Sequence, residues 1–232
     1  MIISILKYFY LEKEAREVWI LKIAGSAFPA FLDFSVGVFL VFLLGYFLEY
    51  NAALYGYALG GILALAPDFD VAFMFLWKHK VYGNHHEYIT HRPLIMIAAA
   101  FIIGAFTDGF FWAIAAPLCV FWHFVHDTEG LGGGGIAWLW PFSKKYLSPI
   151  TGVVSPKHSL AAQFQGKYDR WLDTTWLVPS KTSLIELVAG SILFSIAAKA
   201  VLGWRMGAVL LVLLWICVIS VWLAFSFLKA RT

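Results

Sequence analysis

Three short polar clusters in an otherwise apolar chain hold the side chains able to do chemistry. They read Pro67-Asp68-Phe69-Asp70, His85-His86-Glu87-Tyr88-Ile89-Thr90-His91-Arg92 and His123-Phe124-Val125-His126-Asp127. Imidazole nitrogens and carboxylate oxygens are common ligands of zinc, manganese and iron. His123 and Asp127 stand four apart at the end of an apolar run, which puts both on one face of a helix. Alone, that pair reads equally well as a buried His–Asp hydrogen bond. Asp68 and Asp70 are two apart just past another apolar run. Both carboxylates can reach one cation there, although helix termination by itself accounts for such a pair. His86 and His91 flank a loop leading into a helix. Taken together, the clusters exceed what capping and solvation require, and carboxylates gathered at a greasy surface need a cation to neutralise them. The expected ligands are Asp68, Asp70, His86, His91, His123 and Asp127. The expected cofactor is a divalent metal ion, one or two per chain, zinc first, with manganese or iron as alternatives.

The neighbours of these residues carry weaker signals. His85 and His126 adjoin proposed ligands and read either as supporting groups and proton movers or as plain loop and helix-end polarity. Arg92 reads as a phosphate contact or as one more positive charge at a membrane surface. Lys144, Lys145, Lys157 and His158 read as contacts to lipid head groups, and His79 as interfacial.

The elements that must position the clusters follow from composition. Of 232 residues, 61% are hydrophobic and 13% charged, and mean hydropathy is +0.78. Soluble domains carry about 25% charged residues, so this chain reads as an all-α bundle of membrane helices. Its 11 Trp and 10 Tyr suit two membrane–water interfaces. The net charge is only +3 and no basic stripe is interleaved with aromatics, so nucleic acid is not an expected partner. Cys119 and Cys217 both lie in apolar runs, which excludes a disulfide framework and a cysteine zinc site.

Apolar runs at 31–50, 52–66, 94–106, 110–125, 183–201 and 206–227 predict about six transmembrane helices. Those at 94–106 and 110–125 are short for a bilayer and need to extend into the interfaces. Residues 1–30 form an N-terminal segment with an amphipathic, interfacial stretch over 1–23. Residues 31–127 carry the helices and the site motifs, 128–182 form a long polar loop region, and 183–232 a C-terminal helical hairpin. The glycines at 130 and 132–135 lack the Lys-Ser/Thr of a phosphate loop and read as flexible loop. With six crossings, Lys199 and Arg205 alone among the 17 Lys and Arg fall on one side. Such a bias places the other side, with both termini and all three clusters, in the cytoplasm.

The order and spacing of these motifs resemble the YdjM family, bacterial and archaeal inner-membrane proteins regarded as metal-dependent hydrolases, some of them as LexA-binding. The resemblance runs over about residues 31–190. It rests on Pro67-Asp68-x-Asp70, His86-x-x-x-Thr90-His91, His123-x-x-x-Asp127 and Trp140-Pro141-Phe142, with the stretch 171–186 around Pro179. The family's Thr-His pair at the start of its first helix, four residues before a glycine, is replaced here by Asp33 before Gly37. The resemblance therefore adds Asp33 as a further ligand. Glu87 and Tyr88 stand where the family has small residues, and Arg92 and Pro93 where it has Ser and an apolar residue.

The expected function is metal-dependent hydrolysis of a phosphoester of a lipid or amphipathic molecule, at an inner (plasma) membrane. Arg92 would contact substrate, and His126 or a spare carboxylate would move protons. The rival expectations are a non-catalytic, metal-stabilised scaffold or partner-binding protein, and a metal transporter. Transport favours polar groups at mid-membrane, where these runs are apolar.

Overall fold

The computed structural model describes residues 21, 24–25, 27–70, 85–107, 109–129, 135–148, 152–154 and 168–230. Almost all of the expected interfacial stretch at 1–23, the apolar stretch at 71–77, His79, the glycines at 130 and 132–134, Lys157 and His158 lie outside them. The described chain is helical: α1 Pro29–Phe47, α2 Leu54–Ala64, α3 Pro93–Thr107, α4 Phe110–Glu129, α5 Tyr168–Thr175, α6 Lys181–Leu202 and α7 Trp204–Lys229. A small antiparallel hairpin, β1 Tyr146–Ser148 and β2 Gly152–Val154, interrupts the long polar segment. Single 3-10 turns at Ala66–Asp68, His85–Glu87 and Ile89–His91 carry two of the three polar clusters.

The helices α1, α4, α6 and α7 are long and apolar enough to cross a membrane. Large side chains stay exposed along them and their neighbours, among them Phe47, Phe101, Phe106, Ile192 and Leu213. Such apolar exposure suits lipid. Helix α2 has 11 residues, about 16 Å at 1.5 Å per residue, against a hydrocarbon core of about 30 Å. Helix α3, with 15 residues, is also short. The run expected to end at 125 instead forms a helix of 20 residues. The extra turn holds His126 and Asp127, whose polarity hides helix continuation from a hydropathy reading.

Small residues bring the helices together. Along α1 the buried positions Asp33, Gly37, Val41 and Gly45 recur every fourth residue. On α2 the buried stripe is Gly56, Gly60 and Ala64. The two stripes meet backbone to backbone. A Cβ on Gly60 would lie 2.7 Å from the Gly37 carbonyl, and one on Gly37 would collide with the Gly60 carbonyl. This is the close approach that small-xxx-small spacing permits in lipid. Helix α4 buries Ala115, Cys119 and His123 beside Ala116, Val120 and Phe124, each set at four-residue intervals. The ligand position His123 is thus an extension of the packing stripe. Gly190 seats α6 on Phe31 and Leu32 of α1, and Gly207 seats α7 on Ala198. Helix α6 starts at a capping box in which Ser180 and Ser183 exchange bonds at 3.0 Å.

A second core joins Leu172, Trp176 and Leu177 to Phe28, Leu187 and Trp222, with the Trp222 indole donating to the Trp176 carbonyl at 2.7 Å.

Gly37→Ala is expected to destabilise the bundle by about 1–3 kcal/mol, the cost of overpacking a closed contact. Gly56→Ala, whose Cβ would sit 3.4 Å from Trp112, is expected to be neutral within about 0.5 kcal/mol. Thermal unfolding of the two variants in one detergent measures the contrast.

Candidate metal centre

The start of α1, the turn after α2, the turns before α3, the end of α4 and the start of α6 converge at one end of the bundle. There, Asp68 Oδ1 lies 3.4 Å from His91 Nε2 and 3.6 Å from His123 Nε2. Asp127 Oδ2 lies 3.2 Å from His123 Nε2, 3.5 Å from His91 Nε2 and 3.6 Å from His86 Nε2. Zinc bonds of about 2.0–2.2 Å imply tetrahedral edges of roughly 3.3–3.6 Å. The observed separations fall in or next to that range, so these atoms could hold an ion. His91 and His123 are fully buried. His123 Nε2 and Asp127 Oδ2 face each other at contact distance with no hydrogen bond. Buried polar atoms left so mark a place for a missing partner. Asp68, His91 and His123 form one group able to hold an ion, and His86, His91 and Asp127 another.

Asp33 and Asp70 stand behind the imidazoles. Asp70 Oδ2 is 3.4 Å from His91 Nδ1 and accepts a 2.8 Å bond from the Thr90 hydroxyl. Asp33 Oδ2 is 3.4 Å from His123 Nδ1. Its Oδ1 accepts from the Trp122 indole at 2.8 Å and lies 2.9 Å from His126 Nδ1. A carboxylate at the far nitrogen of a ligating imidazole fixes its tautomer and ring plane. Both sequence-derived acids are therefore in the cluster, placed to orient the rings.

The other ring nitrogen of His126 faces Glu186 of α6 at 3.6 Å, and its ring stacks on Trp122. Glu186 is buried and was missed by sequence reasoning. The signal was present, since an acid inside an apolar run is a functional candidate by default. Arg92 lies beside the cluster, its guanidinium 5.4 Å over the Trp140 ring and bonded to the Glu87 carbonyl. Lys144, Lys145 and the backbone of His85 are among the described residues, but the His85 side chain is not.

The polar segment after α4 closes over the cluster. Ile136 and Leu147 exchange backbone bonds at 3.1 and 2.9 Å. Gly135, at φ +84, brings its carbonyl to 3.3 Å from His86 Nδ1. A side chain there would run into the Leu147 carbonyl at 2.8 Å, and its positive φ favours glycine in any case. The Trp138 indole bonds the Thr128 hydroxyl at 2.8 Å and ties the segment to α4.

Outside the spans the electrostatics favour a cation. Packing around Asp68 pushes its carboxyl up, but His123 and His91 outweigh this and hold it at about 2. The side chain keeps 36% exposure, so the loss of solvent is partial. Burial pushes His91 down, yet Asp68, Asp70 and Asp127 outweigh it and raise its pKa. The anionic surroundings that hold a proton on His91 would hold a metal equally well.

The fold and site define a helical membrane protein with a buried His–Asp centre at one end of its bundle. The sequence model of the YdjM inner membrane protein family matches residues 31–230, and the chain belongs to that family. The match reaches past residue 190 and takes in the C-terminal hairpin. No curated protein and no solved structure matches the chain.

Purified protein is expected to bind zinc or manganese, and His123→Ala and Asp127→Asn to lower bound metal more than tenfold by elemental analysis after dialysis. Protons compete for the same nitrogens and oxygens, and the raised pKa of His91 extends that competition upward in pH. Apparent affinity should therefore fall as pH drops from about 8 to 6, by roughly tenfold per unit for each proton displaced. Titration by calorimetry at several pH values checks the sign.

Proposed function

We propose that this protein is a membrane-bound, metal-dependent hydrolase acting on a phosphoester of a lipid or other amphipathic molecule. The observation that carries the proposal is the set of separations among Asp68, His91, His123 and Asp127. The donor set mixes imidazole and carboxylate, as catalytic zinc sites do, whereas structural sites favour cysteine. Both groups of ligand atoms use His91, whose Nε2 approaches Asp68 and Asp127 alike. One lone pair binds one ion, so a single ion is the reading that fits, with His86 as a further ligand. A bound cation supplies Lewis acidity, which acidifies water and polarises the phosphoryl oxygens.

The chain's own residues supply the rest. Asp70, fixed by Thr90, orients His91, and Asp33 orients His123. Asp68, the most exposed carboxylate of the cluster, links it to solvent. His126 sits between Asp33 and Glu186 and holds the Asp33 carboxylate in place. Arg92 is placed to neutralise a phosphate oxygen. The full burial of His91 and His123 favours the rival reading, a metal-stabilised scaffold. The reading also includes six crossings, with α2 and α3 extended by the interfaces, and a cytoplasmic site, as the Lys and Arg distribution implies.

With zinc or manganese supplied, the purified protein should hydrolyse members of a phosphoester panel. Asp127→Asn should abolish turnover with an unchanged helical spectrum. Asp70→Asn, acting through His91, should lower it about 10–100-fold. A metal-loaded protein inert across the panel supports the scaffold instead. A reporter fused after Thr232 should read cytoplasm and one inserted at Gly203 the outside, and the reverse pattern would move the site to the outer face.

A further inference from the structure

A cavity of about 330 Å³ opens beside the metal centre, lined by Glu87, Arg92, Trp140, Lys144 and Tyr146. Its walls are joined to the ligands through the backbone. Arg92 follows His91, Glu87 follows His86, and the Tyr146 hydroxyl donates to the His86 carbonyl at 3.4 Å. The Arg92 guanidinium is held before any ligand arrives, by the Glu87 carbonyl and the Trp140 ring. A guanidinium has five N–H donors, and that anchoring leaves others to meet an anion. Lys144 adds an exposed ammonium, and Glu87 is the one acid on the lining among the described residues.

The surroundings of the cavity are apolar and exposed. Leu139 and Phe142, on either side of Trp140 in the chain, are 62% and 88% exposed, and Ile89 and Leu147 are exposed as well. Large apolar side chains displayed next to Trp and Lys are the chemistry of a membrane interface. A ligand fitting both parts has an anionic phosphate at one end and an acyl chain at the other.

We propose that this cavity is the phosphate subsite of the protein, with Arg92 and Lys144 gripping the phosphate of an anionic phospholipid whose chain passes over Leu139 and Phe142. As the seat of a substrate it rests on the hydrolase reading above; as a binding site it does not. Glu87 gives the proposal a sign. It opposes anion binding electrostatically, so its removal should tighten the complex.

The test uses the full chain in detergent as purified, and repeats each reading after chelation so that turnover is separated from binding. The probes are phosphatidic acid in mixed micelles, phosphatidylcholine in the same micelles, and inorganic phosphate. Native mass spectrometry and thermal shift read binding. Phosphatidic acid is expected to bind at least about tenfold more tightly than phosphatidylcholine. Lys144→Ala, a change at an exposed side chain that does not threaten folding, should weaken it about fivefold or more, Arg92→Ala further, and Glu87→Gln should strengthen it. Phosphatidic acid binding that ignores Lys144 and Glu87 would overturn the subsite even if Arg92→Ala failed to fold. Inorganic phosphate binding as tightly as the lipid, with the same dependence on the variants, would overturn the lipid assignment and leave a soluble phosphate as the ligand. Variant-dependent binding in a protein that never hydrolyses a phosphoester would uphold the subsite and reject the hydrolase reading.

Discussion

Carboxylates inside an apolar bundle must be compensated, and the arrangement of this protein answers that constraint. Asp127 Oδ2 is approached by His86, His91 and His123, and Asp68 Oδ1 by two of the same rings. Two acids so close repel each other unless positive charge lies between them. Imidazoles drawn from three separate elements stand there, and the proposed cation would complete the compensation. Each of these groups belongs to the end of a helix or the turn beside it. The bundle must bring those ends to one level, and its antiparallel order does so.

Behind this inner layer is a second one that keeps the rings in place. Asp70 and Thr90 brace His91, while Asp33, Trp122, His126 and Glu186 form a chain from His123 to α6. The bracing acids come from different elements than the rings they hold. Packing α6 against α1 through Gly190 is thus part of building the centre. Glu186 reaches His126 only if that contact is made.

Much of this was legible in the sequence. The apolar runs located six of the observed α-helices because lipid demands continuous apolarity. The alternation of loop and helix put the three clusters at one end. The C-terminal end of α4 and the turns were less legible, since polar residues inside a helix read as a boundary in hydropathy. The hairpin of β1 and β2 and the short helix α5 left no signal in a segment read as loop. The division of acids between those facing the common centre and those behind the rings could not be read from spacing. Asp68 and Asp70 are two residues apart, yet one faces the nitrogens at the centre and the other the far side of His91. That difference comes from the turn over Ala66–Asp68 and the Thr90 hydroxyl, which only three-dimensional packing reveals.

The contact between Gly37 and Gly60 reaches further than the stability of α1 and α2. Asp33 lies one helical turn from Gly37, and Asp68 follows the end of the helix that carries Gly60. With no side chain between them, the two backbones set the distance from which each carboxylate extends. Asp68 is one of the acids facing the central nitrogens and Asp33 holds the far nitrogen of His123, so this one crossing fixes the offset between the inner layer of the cluster and the layer behind it. The gauge between the two layers is in this way inherited from the thickness of a helix crossing, and a methyl group there would push them apart.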